Sequence, residues 1–441
     1  VARRILLVTY FYPPDPSVGS HRWSALTRYL RRMGHEVTVI TTSAFGTLPD
    51  DGAQVLRTAD IFTSPTLRRL LRRPPLTTDG ALPSVVVPPP RLVRDGPVPD
   101  AWLLTWLPFV LVSARRLLRS REYDCLVTSG PPDSTHLLGL LLGWSRPAWV
   151  ADFEEGWRFD QLREAWPTRL QDRIDCALEA WVARSADRLV AVTMPIVDDF
   201  TRRFGVCADH VSMAWDPDLE EQFSSARPPE LETDRINIVY TGTLTLPHRR
   251  DPRGLIAALR ELAVSYPEDA SRIRLVLAGS LSEQERQLVN DMNRDGLVRH
   301  VGALRHRDAV ALQRRADALL LLTSGDHGSQ ITGKIFEYLA ANRPIIAVAS
   351  DNAAARLVRE TNTGVVVAPD DVQAIVGALR AATSGQLASR FQPRGLERYR
   401  YPGPAEAFAE SVEHAIASHQ ARRLRRTRAL KRRPGPSEVR R

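Results

Sequence analysis

The chain has 441 residues, 43% of them hydrophobic and 25% charged; this is ordinary for a folded globular protein, and the length asks for two domains of about 200 residues rather than one core. The formal charge of +9 hints at nucleic acid only until it is located: Arg422–Arg441 carries ten Lys/Arg against Glu438 alone, and the other 421 residues carry 50 basic and 50 acidic residues. The body is therefore electrically balanced, and a nucleic-acid partner is not expected. Cys125, Cys176 and Cys207 are widely spaced with no CxxC or His/Cys cluster, which argues against a disulfide framework or a zinc site and for a reducing cytoplasm.

In chain order, Val1-Ala2-Arg3-Arg4 followed by Ile5–Phe11 reads as a buried first strand and not a signal peptide. Further apolar runs at Glu36–Thr42, Tyr123–Ser129, Ala148–Phe153 and Arg188–Thr193 complete a first set. A second set follows at Ile236–Thr241, Ile273–Ala278, Val298–Val301, Ala318–Thr323, Pro344–Ala349 and Val365–Ala368. Between them lie apolar residues at helical spacing, such as Trp23, Leu26, Tyr29, Leu30 and Met33, or Ile256, Leu259 and Leu262. Continuous apolar strands separated by helices predict α/β architecture, with parallel sheets covered on both faces.

The series restarts after a polar stretch, so the expected organisation is a domain over 1–215, a linker over 216–234 and a second domain over 235–400. A helix over 401–420 is expected to cross back to the first domain, and a disordered basic tail to fill 421–441. The segment 46–99, rich in Pro, Thr and Arg, reads as an irregular insertion acting as a lid or acceptor loop. Trp102, Trp106 and Phe109, with Arg115, Arg116, Arg119 and Arg121 behind them, read as an amphipathic helix packed on a sheet, with membrane contact as the alternative. The longest apolar run, Ala101–Val112, is too short to span a bilayer.

Ligands of open α/β sheets bind beyond the carboxyl ends of the strands, and the polar motifs fall there. Tyr12-Pro13-Pro14 with Gly19, Ser20 and Arg22 follows the first strand. Gly130-Pro131-Pro132 and His136 follow the third, and Asp152-Phe153-Glu154-Glu155-Gly156-Trp157 ends the fourth. In the second half, Gly242-Thr243 with Arg249-Arg250-Asp251-Pro252 follows the first strand. Lys334, one of only two lysines, lies in Ser329-Gln330-Ile331-Thr332-Gly333-Lys334-Ile335-Phe336-Glu337-Tyr338-Leu339. A lysine in the first turn of a helix, with the helix dipole and free N–H groups behind it, suits a phosphate. Glu337 shares that side of the helix and suits hydroxyls.

With these residues in place, the chain from residue 3 to about 418 resembles glycosyltransferase family 4, of GT-B fold and bacterial type: two doubly wound Rossmann-like domains facing each other across a cleft. The similarity is carried by residues 10–14, Gly19, Arg22, Gly34-His35-Glu36-Val37, Ser129-Gly130-Pro131-Pro132 and Asp152…Trp157. In the second half it is carried by residues 240–244, Arg250-Asp251-Pro252, Gly279, Gly302 and residues 333–339.

The resemblance implies transfer of a sugar from a nucleoside-diphosphate donor to a hydroxyl acceptor, with retention and without a metal or cofactor. The acceptor would be a precursor of a cell-envelope glycan, a lipid-linked sugar or a secondary metabolite. Glu337 matches the glutamate that takes the ribose diol. Lys334 and Arg250, with Arg249 competing, are the candidates for the diphosphate. Gly242, Thr243, Gly302, Leu304, Ser329 and Gly333 complete the donor side. Gly19, Ser20, Arg22, Glu154 and Glu155 form the acceptor side, and His136 and Asp152 join the catalytic set.

Two departures stand out. Many members of the family carry a second glutamate where Ser329 stands, leaving Asp326 or His327 as substitutes. An arginine expected in the Asp152–Trp157 block is replaced by an acid, which suits a cationic or hydroxyl-rich acceptor. The alternatives are a GT-B-type sugar-nucleotide epimerase and a catalytically inactive nucleotide-sugar-binding protein. The basic tail adds an expected contact with an anionic membrane surface.

Overall fold

A computed structural model describes residues 1–15, 17–47, 54–61, 105–159, 166–219, 226–244, 250–293, 296–323, 328–329 and 331–431. The chain divides into two compact units, one of Val1–Ser212 with Pro404–Arg441 and the other of Met213–Gly403.

In the first unit the elements run β1 (Arg4–Thr9), α1 (Val18–Arg32), β2 (Glu36–Thr42), β3 (Val55–Thr58), α2 (Leu107–Ser120), β4 (Cys125–Gly130), a 3-10 turn (Asp133–His136), α3 (Leu137–Leu142), a second 3-10 turn (Gly143–Ser145), β5 (Ala148–Phe153), α4 (Arg169–Ser185), β6 (Arg188–Ala191), α5 (Met194–Phe204) and β7 (Ala208–His210). The strands form one parallel sheet in the order β3-β2-β1-β4-β5-β6-β7. Every residue of β4 and β5 is buried, as a parallel sheet covered on both faces requires. β1 lies between β2 and β4, so the winding reverses there and opens a crevice at the strand ends.

Local chemistry fixes the helices. Ser17 caps α1 by accepting from the Ser20 amide, and Arg31 and Arg32 fill its last turn, where the dipole favours cations. Thr168 and Gln171 form a capping box on α4.

The second unit holds β8 (Ile236–Thr241), α6 (Arg253–Ser265), α7 (Pro267–Ser271), β9 (Ile273–Ala278), α8 (Glu283–Met292), β10 (Val298–Gly302), α9 (His306–Arg315), β11 (Ala318–Thr323), α10 (Lys334–Ala341), β12 (Ile345–Ala349), α11 (Ala353–Thr361), β13 (Gly364–Val367), α12 (Val372–Thr383) and α13 (Gln386–Arg390). Its parallel sheet runs β10-β9-β8-β11-β12-β13, again reversing beside the first strand. Two apolar clusters, one on each face, sandwich it. Trp215 joins this unit through its amide to the Tyr399 carbonyl (2.8 Å) and its carbonyl to the Tyr401 amide (3.0 Å).

Three features differ from the sequence reading. Val55–Thr58 is an edge strand inside the segment read as irregular; residues 48–53 and 62–99 of that segment lie outside the described residues. β7 was also not anticipated. Both are short edge strands with few buried residues, so neither prints a continuous apolar run.

The third difference is the last helix, α14, which spans Gly403–Lys431 and so runs into the stretch expected to be disordered from residue 421. Its composition of Ala, Arg and Leu favours a helix, and it is fastened to the first unit. Phe408 meets Trp23 edge to face at 5.4 Å, Arg3 pairs with Glu413 at 2.6 and 2.7 Å, His419 contacts Asp187 at 3.1 Å, and Arg422 donates to the Ala186 carbonyl at 3.0 Å. Residues 432–441 lie outside the described residues.

Candidate functional site

In the second unit α10 begins at Lys334 after Gly333 and ends at Asn342, whose left-handed backbone stops the helix. Its apolar side, Ile335, Phe336, Tyr338 and Leu339, is buried, which leaves Lys334 and Glu337 half-buried on the other side. Lys334 Nζ sits over the Tyr240 ring, 4.6 Å from its centroid. It also lies against Gly242, whose φ of +121° and lack of a Cβ make room for it; a side chain there would collide with the ammonium.

The Glu337 carboxylate, an acceptor only, receives His306 Nε2–H on one oxygen (2.8 Å) and Gln313 Nε2–H on the other (2.9 Å). Gln313 also donates to Thr241 Oγ1 at 2.9 Å, tying the pair to the end of β8. His306 and Gln313 are seven residues apart on α9, on one helix face. Neither was singled out from the sequence; the available signal was a glutamine in line with the apolar positions Ala309 and Val310, and the structure buries it fully.

Arg250 Nη1 donates to both the carbonyl and the hydroxyl of Thr243, at 3.2 Å each. Gly302 ends β10 with φ of +77°, its carbonyl accepting from the Gly279 amide at 2.9 Å. Leu304 is half-buried against the sheet's core, and Ser329 is half-buried. Arg249, Asp326 and His327 lie outside the described residues. The structure thus brings Gly242, Lys334 and Glu337 together, with Thr243 and Arg250 on the loop after the same strand.

In the first unit the strand ends carry a second polar group. Arg22 of α1 reaches Asp152 of β5 with both terminal nitrogens, at 2.7 and 2.8 Å. Ser129 Oγ donates to the same carboxylate at 3.0 Å and accepts from Trp23 Nε1 at 2.8 Å. Asp152 is fully buried, so its carboxylate braces α1 against the sheet and offers no surface to a substrate. Glu154 follows, its side chain 10% exposed and 3.6 Å from Arg22. It presses on Gly19, where a Cβ would collide with the carboxylate.

The loop after β5 is held from below: Trp157 Nε1 donates to Asp175 (2.9 Å), the Arg158 amide to Glu179 (3.1 Å), and the Arg158 guanidinium to Asp175 and Asp172 (3.0 and 2.8 Å). Glu155 is exposed on this loop. Ser20 is buried beneath the start of α1, its hydroxyl without a hydrogen-bond partner in the structure.

His136 differs from expectation in its setting. It ends the 3-10 turn and is fully buried, its ring centroid 4.3 Å from that of Phe153 in a tilted contact, not exposed at a helix start. Neither Asp133 nor Ser134 caps α3. Trp149 Nε1 donates to Thr128 Oγ1 (2.9 Å), and the same hydroxyl is hydrogen-bonded to His136 Nδ1 (2.9 Å). His136 Nε2 lies beside Gly130 and has no hydrogen-bond partner in the structure.

Burial sets the titration of these groups. It drives His136 down to about 3, so the ring is neutral at any physiological pH. Burial pushes Glu154 up to about 8, opposed by Arg22 and reinforced by Asp152 and Glu155. Burial, with Arg250 nearby, lowers Lys334 to about 7 against the pull of Glu337. The hydrogen bond that His306 donates to Glu337 raises the histidine.

A phosphate bound at Lys334 would restore the amine's proton, so its pKa is higher in the complex than in the free protein. Affinity for a nucleoside diphosphate is then greatest below pH 7 and falls by up to about tenfold per pH unit above it, until the bound-state pKa is reached. Calorimetry at about pH 6 and about pH 9, in buffers of different ionisation enthalpy, should show that loss together with proton uptake at the higher pH. Affinity independent of pH, with no proton uptake, takes Lys334 off the phosphate.

Residues 19–214 match the model of the Glycosyl transferase 4-like domain, and residues 235–384 match that of Glycosyl transferases group 1. No curated protein sequence matches the chain. Among solved structures the fold is similar to the N-terminal domain of trehalose-6-phosphate phosphatase from Candida albicans, at TM-score 0.57 and 14% identity over 95% of each chain. It is similar to a Listeria monocytogenes protein assigned as a UDP-N-acetylglucosamine 2-epimerase, at TM-score 0.54 and 11% identity over 94% of this chain and 96% of that one. It is also similar to MnaA of S. aureus in complex with UDP, at TM-score 0.50 and 11% identity over 94% and 97%. At such identities the likeness is one of fold. The two family models fall one on each doubly wound unit, and the chain belongs to the group 1 and family 4-like glycosyltransferases of GT-B fold.

Proposed function

We propose that the protein transfers a sugar from a nucleoside-diphosphate donor to a hydroxyl acceptor, with retention at the anomeric carbon and without a metal. The observation that carries this is the first turn of α10, where a lysine and a carboxylate three residues apart stand beside the side-chain-free Gly242. A diphosphate fits Lys334, Arg250 and the helix amides, and a ribose diol fits Glu337, whose two oxygens His306 and Gln313 already orient.

In this reading the second unit binds the donor, and Gly19, Glu154 and Glu155 of the first unit serve the acceptor, with the buried Ser20 supporting the start of α1. The bond from the anomeric carbon to the diphosphate breaks as the acceptor oxygen bonds to the same face of that carbon. The acceptor proton passes to a diphosphate oxygen, so no strong protein base is needed. That agrees with a His136 that burial keeps neutral. Lys334 and Arg250 stabilise the charge that grows on the leaving group. The replacement of an expected arginine by acid at Glu154–Glu155 favours an acceptor bearing hydroxyl or amino groups.

The test is product analysis with a panel of nucleotide sugars, with and without an acceptor alcohol, in the presence of a chelator. The expected result is a glycoside of unchanged anomeric configuration, formed at an unaltered rate in chelator. An epimerised donor without acceptor consumption would make the protein an epimerase, and tight donor binding without turnover or hydrolysis would make it a binding protein. Complete loss in chelator, restored by magnesium or manganese, would overturn the metal-free mechanism.

A further inference from the structure

The first unit carries a surface that neither its sheet nor the proposed transfer site uses. Helices α2, α3 and α4 pack side by side, α2 against α3 and α3 against α4, and Arg115 of α2 reaches the Leu141 carbonyl at 3.3 Å. Their buried sides face the sheet: Val110 and Ala114 on α2, Leu138 and Leu142 on α3, and Val182 on α4. Their outer sides are apolar as well. Val112 is 68% exposed, Trp144 79% and Trp181 59%, and Leu141 lies exposed among them. Large exposed apolar residues gathered on adjacent elements mark an interaction surface, whereas single ones need no explanation.

The charge on this face has one sign. Arg115, Arg116 and Arg119 are exposed on α2, and neither α2 nor residues 137–147 contain an acidic residue. On α4, Asp172 and Asp175 are paired with Arg158, and Glu179 with Arg203. Trp106, which the sequence placed in the same amphipathic segment, is core: it is fully buried, donating to Thr58 Oγ1 at 2.9 Å.

We infer that this three-helix face docks on an anionic lipid bilayer, with Trp144 and Trp181 entering the headgroup region and the α2 arginines meeting lipid phosphates. Indole rings prefer the boundary between water and hydrocarbon, and interleaved arginines favour anionic lipid over a neutral surface. A two-fold contact centred on α3 would set the arginines of α2 against α4 of a second copy, whose acids Asp172, Asp175 and Glu179 are already paired with Arg158 and Arg203. The contact is interfacial, because among the described residues no helix is long and apolar enough to cross a membrane.

The test is flotation of the full chain with phosphatidylcholine vesicles, with and without phosphatidylglycerol. Three variants are compared: R115S/R116S/R119S, W144S/W181S, and a truncation after Leu424. The truncation removes eight Lys/Arg and Glu438, a charge of +7, and keeps the Arg422 anchor. All substituted side chains are exposed, and an unchanged thermal transition shows that each variant is folded.

The full chain should float only with the anionic vesicles. The arginine variant should lose about a hundredfold in partitioning, the tryptophan variant at least about tenfold, and the truncation should retain most of the binding. The inference is overturned if the full chain ignores anionic vesicles, if truncation alone abolishes binding, or if both substituted variants bind as the parent does. It is equally overturned if the substitutions alter only the oligomeric state, since the face then binds protein. None of these readouts depends on the transfer reaction.

Discussion

Glu337→Ala is expected to lower affinity for a nucleoside diphosphate by about 10²–10⁴-fold while leaving the second unit folded. Two charge-assisted hydrogen bonds to a ribose diol, at roughly 1.5–3 kcal/mol each, set that range. The fold should survive because Gln313, which loses one acceptor, keeps Thr241 at 2.9 Å, and His306 is near solvent. Glu337→Gln should fall between the two, since an amide has one acceptor oxygen and must turn its NH₂ toward either His306 or Gln313. A 2′-deoxynucleotide separates ribose binding from general weakening. The parent should discriminate against it and Glu337→Ala should not. Equal discrimination by both proteins would show that the carboxylate does not touch the diol.

Arg22→Met is expected to destabilise the first unit by about 3–5 kcal/mol, the largest stability effect at any candidate site residue. Asp152 is fully buried and receives both guanidinium nitrogens, so losing the arginine strands a carboxylate away from water with only Ser129 as donor. Glu154 loses its nearest cation as well. The double variant Arg22→Met/Asp152→Leu should recover much of the loss, because removing both charges of a buried pair is far less costly than removing one. Denaturant unfolding followed by tryptophan fluorescence reads the first-unit transition, and nucleotide-linked stabilisation of the second unit serves as the internal control. A loss below about 1 kcal/mol would mean that water reaches the pair and that α1 is held mainly by the packing of Trp23.

The sequence by itself determined the architecture. Runs such as Ile236–Thr241, Ile273–Ala278 and Ala318–Thr323 became strands with those boundaries because a parallel strand buried on both faces must be apolar throughout, and that pattern is local. The turn carrying Lys334 and Glu337 was legible for a similar reason: helix period alone puts positions three apart on one side. The edge strands Val55–Thr58 and Ala208–His210 were not legible, since they lack the apolar run that marks the edge strand Gly364–Val367 and their pairing comes from neighbours. The last helix is held as far as Arg422 by Arg3, Asp187 and the residue after α4, contacts spanning hundreds of residues of chain, and its composition carries it on to Lys431.

Tertiary structure alone decided what the site side chains are free to do. Asp152 and His136 sit at strand ends where a ligand is expected. Yet Arg22 and Ser129 occupy the first, and Thr128 and burial against Phe153 hold the second. His306 and Gln313 reached Glu337 only by the packing of α9 beside α10. Burial and partnership are properties of the folded surroundings. A residue's type and spacing announce that it is polar and near a strand end, and only its neighbours settle whether its charge is spent inside the protein or left for a ligand.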